Sequence, residues 1–173
     1  MLCGRAGPQG EQGLPGPQGE PAPVLAYGSF IDTTTQTNPT PNVARPIRFN
    51  TTLESKGVSI VDDTRVTIEQ AGQYNIQFST QIIKSDGGLD TVDIWFSVNG
   101  VDVPLSNTRV TLSDRNNVTP ASWDIILELG AGDYVELYWS SADTAISFPT
   151  ITGITNPVRP DIPSLILTVQ QVG

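Results

Sequence analysis

Glycine stands at every third position from Gly4 to Gly19. Gly4, Gly7, Gly10, Gly13, Gly16 and Gly19 keep the step without interruption through GRAGPQGEQGLPGPQGEP, residues 4–21. At an ordinary glycine frequency of about 7%, six such places filled by chance have odds on the order of one in ten million. Pro8, Pro15, Pro17 and Pro21 fill other places in the run and pre-set the polyproline II backbone. Three strands of that kind wind together only where glycine occupies the crowded axis, so the period predicts a collagen-like triple helix and with it three chains. A flexible linker would mix glycine and serine without a period, and this run contains no serine. At about 3 Å per residue the segment is a stalk of roughly 55 Å. Six triplets are few, so something that follows is expected to hold the three chains together.

The rest of the chain divides simply. Residues 1–3 are a tail or attachment segment, 4–21 the stalk, 22–26 a linker, and 27–173 one head of ordinary domain size. Hydrophobic residues make up 38% of the 173 positions, enough for a core, and no apolar run reaches membrane-spanning length. Met1 runs directly into LCGRAG without a basic start or an apolar stretch, so no classical secretory signal is expected. With 18 acidic against 9 basic residues the net charge is −9. Phosphate backbones and anionic bilayers are recognised by clustered Lys and Arg, so neither nucleic acid nor membrane insertion is an expected partnership. The single cysteine, Cys3, excludes an intrachain disulfide and leaves an interchain link or an inert thiol beside the first triplet.

From Val24 onward the pattern is β. In QYNIQFSTQII (73–83), Tyr74, Ile76, Phe78 and Ile82 alternate with polar residues, the period of a strand with one face on a core. TVDIWFSV sets Val92, Ile94, Phe96 and Val98 on one face. ASWDIILEL does the same with Trp123, Ile125, Leu127 and Leu129, and DYVELYW with Val135, Leu137 and Trp139. SLILTVQQV is apolar on both faces at its start, which predicts a strand covered on both sides. Ala71-Gly72, Gly87-Gly88, Asn99-Gly100 and Gly130-Ala131-Gly132 supply the turns between these runs. Eight to ten short strands with frequent turns predict an all-β, two-sheet sandwich or jelly roll.

The order of these pieces carries a resemblance. A collagen-like stalk, then AGQYNIQF, VNG, LELGAGDYVEL and a final PSLILTVQQVG, resembles the jelly-roll head of complement component one, subcomponent q, a fold shared with the tumour necrosis factor ligands. The match runs from about Tyr27 to Val172 and is most specific in Ala71-Gly72-x-Tyr74-x-x-x-Phe78 and Gly132-Asp133-x-Val135-x-Leu137. The resemblance implies a ten-stranded-type antiparallel jelly-roll sandwich and a homotrimer whose heads clamp the stalk. The short stalk, the missing export signal and phrases such as AYGSFIDTTTQTNPTPN are more similar to phage, viral and bacterial versions than to animal ones. That similarity implies a fibre or decoration protein on a virion surface or in the extracellular space. Its amino terminus would meet a capsid or tail protein, and its head a cell-surface protein or glycan. A bacterial surface or spore-coat protein and a secreted signalling ligand are the alternative readings.

Residue chemistry points away from catalysis. Histidine is absent, which removes Ser-His-Asp and Cys-His nucleophiles and His-ligated zinc, and no phosphate-binding loop is present. Asp62 and Asp63 are adjacent and read as a polar turn, not as an acid–base pair. No cofactor is expected and the chain does not read as an enzyme. Asp86, Asp90 and Asp93 flank the Gly87-Gly88 turn and are candidate calcium ligands, although aspartates beside a glycine turn are also ordinary turn chemistry. Trp95 falls on the face opposite Ile94 and Phe96 and is a lone exposed ring or a subunit-contact candidate. Asn50 and Asn117 lie in incidental Asn-x-Ser/Thr sequons. The resemblance puts the carboxy terminus near the stalk, and alternating strand directions counted back from it then put the loops at 84–90, 113–120 and 140–163 at the end away from the stalk. Arg115, Asn116, Asn117 and Arg159 in those loops are the receptor-binding candidates.

Overall fold

A computed structural model describes residues 24–173, together with Cys3, Gly4, Gly7, Gln9, Gln12, Gly13 and Gly16 of the amino-terminal segment. The expected triple helix therefore falls largely outside the described residues, Gly10 and Gly19 included. Beyond the triplets every regular element is a strand. In chain order these are β1 (Tyr27–Asp32), β2 (Gln36–Thr37), β3 (Arg45–Pro46), β4 (Thr51–Lys56), β5 (Val58–Val61), β6 (Arg65–Ile68), β7 (Gly72–Lys84) and β8 (Asp90–Val98). They continue with β9 (Val101–Asp102), β10 (Thr108–Leu112), β11 (Val118–Leu129), β12 (Tyr134–Ser141), β13 (Ile146–Phe148), β14 (Ile154–Thr155), β15 (Val158–Arg159) and β16 (Leu165–Gln171).

These strands form two antiparallel sheets that face one another. In the first, β7 pairs with β11 along one edge and with β16 and then β13 along the other; β1 and β4 follow outward from β16, and β2 lies on β13. In the second, β12 pairs with β8 on one side and with β6 and β3 on the other, while β5, β9 and β10 complete the edges. The chain crosses between sheets after β2, β3, β4, β6, β7, β10, β11 and β12, the jelly-roll-like connectivity of an all-β sandwich.

Period two decides what each strand contributes. On β7, Tyr74, Ile76, Phe78 and Ile82 are all buried, and they face Ile94 and Phe96 of β8 and Val135, Leu137 and Trp139 of β12, which are buried too. Phe78 meets Phe96 edge-on at 6.0 Å and Trp123 edge-on at 4.4 Å, the preferred geometry for aromatic pairs. Hairpin turns need left-handed backbone and have the residues that tolerate it: Asn99 and Gly100 have φ of 52° and 77°, and Asp62 and Asp63 of 53° and 61°. The turn reading of Asp62-Asp63 is thus met by the β5–β6 connection.

Two strands differ from expectation. Leu165, Leu167 and Val169 of β16 are buried, but Ile166 on the opposite face is 41% exposed, so within one chain the strand is covered once and not twice. On β11, Trp123, Ile125 and Leu127 point inward yet remain half-buried, because β11 is the edge of its sheet and the opposing sheet ends at β10. Truncating the central ring tests the packing: Phe78→Ala should cost about 3–5 kcal/mol of unfolding free energy in urea titration. A loss below about 1 kcal/mol would place the core elsewhere.

Candidate binding surface at the loop end

Strand directions separate the loops into two groups. At one end Ala26 and Gln171 exchange backbone and side-chain hydrogen bonds of 2.8 and 3.0 Å, and the Gln73 amide donates to the Gly173 carbonyl at 2.8 Å. The Asn99-Gly100 and Gly130–Asp133 turns join them there, through an Asn99 Nδ2 bond of 2.8 Å to Asp133 Oδ1. At the other end the Asn116 amide donates to the Lys84 carbonyl at 2.7 Å and the Ser85 amide to the Ala145 carbonyl at 3.0 Å. The segments around 84–90, 113–117 and 142–145 therefore share one end of the sandwich, remote from the entry of the chain at Ala26.

A buried cation organises that end. Lys84 is the last residue of β7 and continues its inward-facing series, so its side chain enters the top of the core and is 1% exposed. Its Nζ lies 2.7 Å from Asp86 and 2.9 Å from Asp143, and it also contacts Asp90. A lone ammonium there would be costly; three carboxylates from three segments compensate it. The Asp86 and Asp90 carboxylates hold the Lys84 proton and push its pKa well above the usual 10.5, against the opposing effect of burial. Burial pushes the Asp143 carboxyl up, but the Ala145 amide and the Lys84 ammonium outweigh it and hold the group below 3.8.

That arrangement revises the calcium candidates. Asp86 and Asp90 do converge, but their third partner is Asp143, and the ammonium of Lys84 stands among them. Asp93 is elsewhere, on the outer face of β8, bound by the Arg109 guanidinium through two 2.9 Å contacts and by Asn107 at 3.2 Å. The period-two rule accounts for this: three residues beyond Asp90, Asp93 faces outward on a strand and cannot rejoin the turn. Arg109 beside it holds its carboxyl low.

The remaining candidates are placed as follows. Arg115, Asn116 and Asn117 are exposed on the turn between β10 and β11, with Asn116 in left-handed backbone at φ 59°. Arg159 is exposed on β15, in a separate two-stranded ribbon with β14, and no hydrogen bond or ion pair among the described residues joins it to the other three. The motif residues Tyr74, Phe78, Val135 and Leu137 are core residues on two strands that face across the sandwich. Ala71, Gly72, Gly132 and Asp133 lie at the Ala26 end. A Cβ on Gly72 would stand 2.5 Å from the Gly173 carbonyl oxygen, so glycine there answers a close backbone approach. Asn99 and the Gly130 amide bond Asp133 and lower its pKa.

Trp95 is not a lone ring. It lies across from Tyr138 in the register, stacks on it at 5.9 Å and 21°, and donates Nε1 to Asp102 at 2.8 Å. Sequence reasoning missed Lys84 and Asp143. The first had a signal, since a lysine closes the mostly apolar series Tyr74, Ile76, Phe78, Thr80 and Ile82; the second comes from a distant loop and had none. No protein-family model matches the chain, and no curated protein matches it.

The charge cluster fixes the sign of the pH response. Carboxyls held low, as at Asp93 and Asp143, stabilise the fold above their unfolded pKa, and that stability is lost as pH falls through the folded value. Lysine held high stabilises below its unfolded value of 10.5 and loses that contribution as pH rises through the folded pKa. Thermal scans should therefore fall below about pH 4 and again above about pH 10.5. Lys84→Met should invert the acid limb, because protonation then relieves repulsion among three carboxylates: its midpoint should rise between about pH 7 and pH 4. A variant with the parent's pH profile would show that Lys84 does not hold the cluster.

Proposed function

We propose that the chain is a homotrimeric surface fibre or decoration protein of a phage or virus particle, whose jelly-roll head adheres to a receptor or glycan on a host cell. The observation that carries this reading is the separation of the head's two ends. The described chain enters the sandwich at Ala26, beside the carboxy terminus, while the loops around Lys84, Asn116 and Ala145 gather at the opposite end. A fibre rooted through its amino terminus would present those loops outward, and loops on a rigid scaffold are where binding residues concentrate.

Two further features support three chains. A Cβ added to Gly4, Gly7, Gly13 or Gly16 meets nothing within 4 Å among the described residues, so no contact there calls for glycine. The triple-helix axis supplies the missing reason. On the head, half-buried Trp123, Ile125 and Leu127 with exposed Ile126 leave an apolar margin at the β11 edge that a neighbouring copy would cover. The all-β, jelly-roll-like sandwich is the kind of head that the complement and tumour necrosis factor resemblance implies, and the trimer rests on that resemblance.

Sedimentation of the full chain should give three copies of the 18.5 kDa protomer, about 55 kDa. Residues 24–173 alone should remain trimeric if the head is the clamp; a monomeric head at micromolar concentration would contradict that role. Replacing Arg115, Asn116, Asn117 and Arg159 together by alanine should abolish attachment of particles to host cells while leaving the mass and thermal midpoint unchanged. Three copies about one axis would add avidity to weak contacts, so an eightfold or smaller loss would argue that attachment lies elsewhere, since avidity gains are about a hundredfold or more.

A further inference from the structure

Between β2 and β3, where the two sheets splay, a cavity of about 370 Å³ opens to solvent. Arg45 and Arg48 both line it. Among the described residues the ion pairs are those of Arg65, Lys84 and Arg109, and neither Arg45 nor Arg48 takes part in one. In a chain of net charge −9, two guanidinium groups on one cavity without a carboxylate partner are unusual. More pointedly, Arg45 Nε is closed to solvent and has no hydrogen-bond acceptor among the described residues. A buried donor left unmatched costs on the order of 1–3 kcal/mol, a cost that an acceptor reaching the Arg45 guanidinium from the cleft would offset.

The surrounding acids do not fill that role. Asp32 borders the other side of Arg48, but its carboxylate already accepts from the Thr34 amide and hydroxyl at 2.7 Å and from Gln36 Nε2 at 2.8 Å. Asp63 borders the same neighbouring cavity and lies beyond ion-pair distance. Thr64, also on the wall, spends its hydroxyl on Glu136 at 2.7 Å. The cavity's acceptor demand is therefore concentrated on the two arginines.

The geometry points to an acidic sugar residue, held by its carboxylate, as the ligand of this cleft. A guanidinium presents two parallel donors that match a carboxylate. The volume exceeds what a small inorganic anion needs and falls in the range of small-molecule sites. Pro39 and Pro46 give it apolar walls suited to the carbon face of a sugar ring, and the Thr37 hydroxyl is available to a ring hydroxyl. The cleft also lies toward the loop end: Asn38 donates to the Ser141 and Asp143 carbonyls at 2.9 Å, tying the wall to the Lys84 cluster.

As a contact to a host glycan the cleft rests on the adhesive reading above; as an acidic-sugar site it does not. The full chain, labelled for observation of arginine Nε–H signals, is titrated with sodium glucuronate, glucose and sodium sulfate. Glucuronate should move the Arg45 signal saturably with a dissociation constant on the order of 1 mM, sulfate should bind at least about tenfold more weakly, and glucose should not bind. Arg45→Gln and, at an exposed position that spares the fold, Arg48→Gln should each weaken glucuronate about tenfold or more, with Arg109→Gln unchanged. Absence of any shift, equal binding of glucose, equal binding of sulfate, or indifference to both cleft variants would overturn the assignment. Free glucuronate should also compete with particle attachment; binding without competition would overturn the glycan role while leaving the sugar site standing.

Discussion

Everything in the head is hung on β7. Its thirteen residues pair with β11 on one side and with β16 and β13 on the other, so three later segments take their register from one strand. Its inward face supplies the tyrosine, isoleucines and phenylalanine around which the opposite sheet closes. A slip of one residue would turn Gln73, Asn75 and Gln77 into the core and expose Tyr74, Ile76 and Phe78. That penalty, summed over several buried side chains at about 1.5–3 kcal/mol each, is what fixes the register of a strand this long.

The same strand ends in the unusual part of the molecule. Its inward series closes on Lys84, and a charge at that position draws carboxylates from the following turn, from the start of β8 and from the loop before β13. The ammonium thus serves as a cross-brace between the loops at that end. Its effect is local: Asp93, close in sequence, is drawn away by strand alternation to Arg109 on the outer face.

Most of the fold was legible, because alternation and turn residues are local signals. Tyr74 to Ile82, Val92 to Phe96 and Val135 to Trp139 read correctly from period two, as did the Asn99-Gly100 and Asp62-Asp63 turns. The failures are all matters of distance along the chain. Ile166 looked like the second face of a central strand, and only the assembled sheet shows that nothing in the chain covers it. Asp143 meets Lys84 across 59 residues, and Arg45 gains its buried, unmatched Nε from the splay of two sheets; neither has a signature in its neighbours. Trp95 was read as outward-facing, which holds, but its stack on Tyr138 depends on the register of β8 with β12.

The entry of the chain at Ala26 has a mechanical consequence. Ala26 leads directly into β1, which is paired over its whole length with β16 on one side and, from Tyr27 to Ile31 with one irregularity, with β4 on the other. A pull on the amino terminus against a grip at the loop end runs along that strand, not across it. The hydrogen bonds of both ladders then bear the load together, in shear, where a strand peeled from its end would lose them one by one. A head tethered this way resists being drawn out by its own stem.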